Sequence, residues 1–147
     1  MDVLDEQRAT LAPGVTVVLP VHNEVRTLRR AVEETAAFLR GIGQDFEIII
    51  AEDGSTDGSA KLAQSIADSN PQVTCICDTR RLGRGRALTK AFKQSSGSVL
   101  VYMDVDLSTE IRFLEPLIDA IMWGNNIVTG SRMLPQSRVS RSLKRNI

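Results

Sequence analysis

The segment VLVYMDVDLST, residues 99–109, is apolar until it ends in two aspartates, Asp104 and Asp106, one valine apart. On a strand or its extension, residues i and i+2 point to one side. Two negative charges would then stand together beside an apolar sheet, which is costly without a cation. Magnesium or manganese meets that need, because either ion takes carboxylate oxygens and keeps positions for water and substrate phosphates. The plain alternative is a turn with two exposed carboxylates. Arg80, Arg81, Arg84 and Arg86 in TRRLGRGR suggest that an anion sits between them and the acidic residues. A metal held by few protein ligands beside arginines describes a diphosphate site. Such a site stabilises charge developing on a leaving nucleotide diphosphate, which is Lewis-acid catalysis of group transfer.

Four further polar clusters follow apolar runs: HNE at 22–24, EDGSTD at 52–57, TRRLGRGR at 79–86 and GSR at 130–132. Singly, each has an ordinary explanation. EDGSTD reads as a turn in which Ser55 or Asp57 caps the next helix. His22 is the sole histidine and, with no partner, makes no metal set. GRGRALTK matches neither the Walker pattern nor GxGxxG. Ser55 and Ser131 have no histidine at a motif spacing, so a serine hydrolase has little support.

The elements that must position these clusters alternate in type. VTVVLP (15–20), FEIIIA (46–51), QVTCICD (72–78), SVLVYM (98–103) and NNIVTG (125–130) read as strands. Between them lie amphipathic stripes: Leu28, Val32, Thr35 and Leu39; then Leu62, Ala63, Ile66 and Ala67; then Ala87, Leu88, Ala91 and Phe92. A last helix starts between Thr109 and Phe113 and carries Leu114, Ile118 and Ile121, with Pro116 tolerable only in its first turn. Strands apolar on both faces alternating with helices predict an α/β fold: a Rossmann-like sandwich whose mostly parallel sheet has helices on both faces. Strand four belongs at its centre. All five clusters then fall at carboxyl ends of strands, the edge where such sheets bind ligands.

Composition narrows the class. The 147 residues, 42% apolar and 24% charged, suit one globular domain and exclude a disordered chain or a disulfide-dense miniprotein. Zero formal net charge gives no global argument for nucleic acid as a partner. No acidic residue follows Asp119, whereas Arg132, Arg138, Arg141, Lys144 and Arg145 do. Cys75 and Cys77 share a strand face but are poorly placed for a disulfide, so they read as buried free thiols in a reducing compartment. No apolar run approaches the roughly 18 residues of a membrane span, and the acidic, polar N-terminus is unlike a signal peptide. The expected divisions are a flexible segment over 1–13, one α/β domain over 14–135 and a basic segment over 136–147.

VVLPVHNE, IIIAEDGSTDGS, GRGRALTKAF, VYMDVDLST and VTGSR, in this order and spacing, resemble the nucleotide-binding region of family 2 glycosyltransferases with the GT-A fold. The resemblance spans roughly residues 14–132 and is nearest to dolichyl-phosphate and polyprenyl-phosphate sugar synthases. It implies an inverting hexosyltransferase that moves sugar from a UDP- or GDP-linked donor to a lipid-phosphate acceptor at the cytoplasmic side of a membrane. It also implies that Pro20, His22 and Glu24 line the nucleoside pocket, Glu24 toward the ribose, while Ala51 and Asp53 meet the base, Asp53 accepting a ring N–H. Asp104, Val105 and Asp106 would hold the sugar nucleotide. Asp104, Asp106 and the Ser108 position would hold Mg2+ or Mn2+. Arg132 would meet the phosphates and share catalysis with the aspartates, and Arg132 and Arg145 would grip the acceptor phosphate. Three departures stand out: Glu52 replaces the commoner aspartate, Arg80 or Arg81 replaces an asparagine, and Ser108 replaces the glutamine of many mannose-transferring members.

Members of the family normally continue past GSR, so 136–147 reads as the truncated start of an acceptor region, with isolated activity weak or absent. Two rivals stay open. A non-catalytic nucleotide-sugar-binding module would bind donor without transfer. A haloacid-dehalogenase-type phosphatase also uses DxD, but on its first strand, with a threonine preferred at the Ser108 position and more chain after the motif.

Overall fold

Val15–Val21 forms β1, and its first five residues are wholly enclosed because they are apolar or paired on both faces of the sheet interior. In a computed structural model that describes residues 14–131 and 133–138, β1 lies between β2 (Phe46–Asp53) and β4 (Val99–Tyr102), and β3 (Val73–Asp78) lies beyond β2. Every pairing is parallel: Val15 stands opposite both Phe46 and Val99, and Ile48 opposite Val73. The intervening helices are α1 (Leu28–Gly41), α2 (Ser59–Asp68) and α3 (Arg84–Gln94). A 3-10 turn at Ile111–Phe113 leads into α4 (Leu114–Met122).

The chain steps outward from β1 through β2 to β3, then returns through α3 to β4 on the far side of β1. Right-handed crossovers therefore put α1 and α2 on one face and α3 on the other. On the α3 face, Ala87 and Ala91 pack on Val18, Ile49, Ala51 and Ile76, with Leu88 and Phe92 closing the rim. Small alanines let the helix approach the sheet closely. On α1 the stripe Leu28, Ala31, Val32, Thr35, Ala36 and Leu39 is buried, as the heptad-like spacing requires.

The chain divides into two compact units, with the boundary between Arg112 and Phe113. In the second unit α4 buries Leu114 and Ile118, and Pro116 stands in its first turn, where a missing N–H costs nothing. Residues 125–130, expected as a fifth strand, run without sheet pairing, and Ile127 is 88% exposed. A short apolar run makes a strand only when a hydrogen-bonding partner lies alongside, which the run itself does not specify. For the same reason β4 is not central: among the described residues it pairs only with β1, leaving Tyr102 55% exposed. Cys75 is half-buried and Cys77 exposed, so the thiols of β3 are free but not both buried.

Two buried threonines show opposite polar outcomes. Thr16 donates to Glu47 Oε1 at 2.6 Å and accepts the Gly97 N–H at 2.9 Å. Thr35 in α1 is fully buried, and its hydroxyl has no partner. Thr35→Val keeps the shape and removes an unsatisfied group, so it raises unfolding free energy by about 1 kcal/mol. Urea denaturation checks this; an unchanged or lower midpoint contradicts it.

Candidate functional site

The loops after β1 and β2 are interlocked by side chains that satisfy backbone amides. Asn23, at φ 56°, donates its N–H to Ser55 Oγ at 2.8 Å, and its Oδ1 accepts the Thr56 N–H at 2.8 Å. The Glu24 N–H reaches Ser59 Oγ at 2.9 Å, and the Val25 N–H reaches Asp57 Oδ2 at 3.1 Å. Asp57 Oδ1 accepts both the Ser59 hydroxyl at 2.6 Å and the Ser59 N–H at 3.0 Å, so it satisfies the first amide of α2, although the N-cap position itself is Gly58 and neither Ser55 nor Asp57 occupies it. The Ser59 hydroxyl, followed by the amides of Ser59 and Val25, holds the Asp57 carboxyl below the usual carboxylate range against a small opposing effect of burial. His22 Nδ1 lies 2.8 Å from the Asp53 carbonyl. A carbonyl only accepts, so the proton belongs on Nδ1, and the imidazole works here as a loop tie.

Strand β2 ends in two enclosed acids, Glu52 and Asp53, 1% and 4% exposed. Glu52 Oε1 accepts the Ser55 N–H at 2.6 Å. Asp53 accepts the Leu82 N–H at 2.5 Å and the Gly83 N–H at 2.9 Å, one on each oxygen. The acid expected to meet a nucleobase thus also builds the loop between β3 and α3. Each oxygen keeps a second lone pair, so capacity for a ligand N–H remains. Ala51 lies in the core beneath α3, with the half-buried Pro20 opposite it on β1. Glu24 Oε2 accepts the Thr27 hydroxyl at 2.9 Å.

The paired aspartates are set by a turn and not by strand alternation. β4 ends at Tyr102; the Leu107 N–H then bonds the Asp104 carbonyl at 3.3 Å, and Leu107 takes φ 51°. Val105, 3% exposed, anchors this turn from below, while Asp104 and Asp106 emerge on either side of it. Arg84, the first residue of α3, lies 3.4 Å from Asp104 Oδ1. Asp106 Oδ1 accepts the Ser108 N–H at 3.0 Å. Among the described residues no three histidine, cysteine, aspartate or glutamate side chains gather as a metal site. Two hard carboxylates, one already drawing a cation, still fit a magnesium or manganese ion that completes its shell with water and phosphate. The partly exposed Arg84–Asp104 pair is worth at most about 1 kcal/mol, so it would offer little resistance to a cation at Asp104.

The ends of β1 and β4 flank the point where strand order reverses, the position at which open parallel sheets bind ligands. Pro20, His22, Glu24, Asp53, Asp104, Asp106 and Arg84 all belong to the first unit at this edge. Arg80, Arg81 and Arg86 are exposed in or beside the adjoining loop. Arg132 and Arg145 lie outside the described residues. The spacing missed Ser55, Asp57 and Ser59 as joint builders of the β1 loop; their signal was an unusual density of capping residues in EDGSTDGS. Gly54, at φ 65°, is also structural, since a Cβ there would overlap the backbone of Arg80 and Arg81. Gly54→Ala combines this overlap with a strained φ and costs more than about 1 kcal/mol. A thermal midpoint lowered by at least about 2 °C is expected; an unchanged midpoint contradicts the close approach.

The fold has counterparts among known proteins. The family model described as glycosyl transferase family 2 matches residues 16–146. Glycosyltransferase AglD of Haloferax volcanii is 38% identical over 95% of this chain, and the dolichol-phosphate mannosyltransferase of Pyrococcus furiosus is 33% identical over 85%. The chain spans 23% and 35% of the lengths of those relatives. The mannosyltransferase PcManGT from Pyrobaculum calidifontis, solved with GDP-Man and Mn2+, superposes with a TM-score of 0.60 at 25% identity, covering 80% of this chain and 34% of that one. With the family model matching nearly the whole chain and the same α/β architecture in a solved relative, the chain belongs to glycosyl transferase family 2.

Proposed function

We propose that this chain is the donor-binding part of a glycosyltransferase that moves a sugar from a nucleotide diphosphate sugar, UDP- or GDP-linked, to a dolichyl or polyprenyl phosphate at a membrane surface. The observation that carries this reading is the emergence of Asp104 and Asp106 from a turn anchored by the buried Val105 at the switch point of the sheet, with Arg84 beside Asp104. The GDP-Man and Mn2+ of the solved relative and the dolichol-phosphate acceptor in the name of another support the donor, metal and acceptor classes.

In this account the loops after β1 and β2 receive the nucleoside, with Glu24 toward the ribose and Asp53 toward the base. Asp104 and Asp106 would hold Mg2+ or Mn2+, with the Ser108 position alongside. When bound, the ion supplies Lewis-acid stabilisation of the leaving nucleotide diphosphate. Arg84, which lies beside Asp104, directs its charge toward the same phosphates. A lipid phosphate is already anionic near neutral pH, so its oxygen attacks the anomeric carbon without a strong general base. The bond from that carbon to the diphosphate breaks in the same inverting displacement. What the protein must provide is position and charge compensation.

The test is calorimetric binding of a panel of UDP- and GDP-sugars, with and without manganese, to the wild type and Asp106→Asn. One donor class is expected to bind in a metal-dependent manner, and the substitution is expected to weaken it at least about tenfold, or about 1.4 kcal/mol. Absent or metal-independent binding across the panel overturns the reading.

A further inference from the structure

Strand β3 carries a second chemical feature on the edge of the sheet away from the paired aspartates. Cys75 and Cys77 are the chain's two cysteines, and their Sγ atoms lie 2.6 Å apart on one face of the strand. A disulfide needs about 2.05 Å, so bonding them requires the sulfurs to close by only roughly 0.6 Å. Two residues of extended strand separate Cα atoms by about 6.4–6.8 Å, the upper end of the range that a disulfide spans. The strand must therefore pucker. β3 is able to, because among the described residues it is hydrogen-bonded on one side only, to β2, and it ends one residue later at Asp78.

From this geometry we infer that Cys75 and Cys77 form a reversible redox dithiol, closed to an intrastrand disulfide by thiol–disulfide exchange with a small-molecule disulfide such as oxidised glutathione. The two thiols differ in access: Cys77 is exposed and Cys75 half-buried. Burial first, then the Cys77 neighbour, pushes the Cys75 thiol up, so Cys75 is the poorer nucleophile at the outset. Cys77 attacks as its thiolate, forms a mixed disulfide and releases one small thiolate. Cys75 then loses its proton and attacks Cys77 Sγ, and the second small thiolate leaves. Two protein thiols and one small disulfide become one protein disulfide and two small thiols, so electrons and protons balance. The small, puckered ring makes this a strained disulfide, readily reduced again. The next residues, 79–83, form the loop whose Leu82 and Gly83 amides Asp53 holds, so the oxidised strand adjoins the candidate site.

The experiment incubates the chain with oxidised glutathione, blocks remaining thiols with an alkylating agent and maps the cysteine peptide by mass spectrometry. The expected wild-type product is an unalkylated Cys75–Cys77 peptide lighter by two hydrogens and restored by reductant. Cys75→Ser should stop at a stable glutathione adduct on Cys77, and Cys77→Ser should react at least tenfold more slowly. A wild type that stays fully alkylatable, or ends as a stable adduct or an intermolecular dimer, overturns the inference. So does equal reactivity of the two serine variants, which would remove Cys77 as the point of entry.

Discussion

The carboxylate of Asp53 is the interaction on which the candidate site depends. It closes β2 in a nearly water-free position, yet it is matched by two backbone amides of the loop before α3. A buried charge without such partners would be severely destabilising, so the loop and the acid require each other. The same short stretch of chain carries the carbonyl that orients His22 and, through Glu52, the bond that shapes the turn at Ser55. Three loops from three strands are thereby fixed by the end of one.

Around that tie the division of labour is clear. Ser55, Asp57 and Ser59 spend their oxygens on the amides of Asn23, Glu24 and Val25, so the entrance to α1 is held from thirty residues away. Asp104 and Asp106, by contrast, stand at the surface of a turn whose only buried member is Val105. Acids that build the scaffold have their oxygens satisfied by amides and hydroxyls, whether enclosed like Glu52 and Asp53 or exposed like Asp57. Of the acids that face the proposed ligand, Asp106 is exposed and the half-buried Asp104 lies beside the exposed guanidinium of Arg84.

Much of this was legible in the residues. Burial leaves a periodic trace, so all four strands and the stripes of α1 to α4 could be read, and with them the sheet edge that carries HNE, EDGSTD, TRRLGRGR and DVD, though GSR follows no strand among the described residues. Pairing partners leave no such trace: among the described residues VLVY, which reads as a central strand, lies at an edge, and NNIVTG, which reads as a strand, finds no neighbour. The DVD spacing suggested a pleat as the reason the two aspartates share a side, whereas a turn about Val105 sets them. The double duty of Asp53 was equally hidden, because its amide partners lie about thirty positions along the chain.

Amide hydrogen exchange on wild type and Asp53→Asn tests the central claim most directly. An asparagine offers one acceptor and turns an N–H2 toward a backbone N–H. The account predicts that Leu82 and Gly83 lose at least about tenfold protection, about 1.4 kcal/mol, while the amides of β1 and β2 keep theirs. Unchanged protection at Leu82 and Gly83 would contradict it.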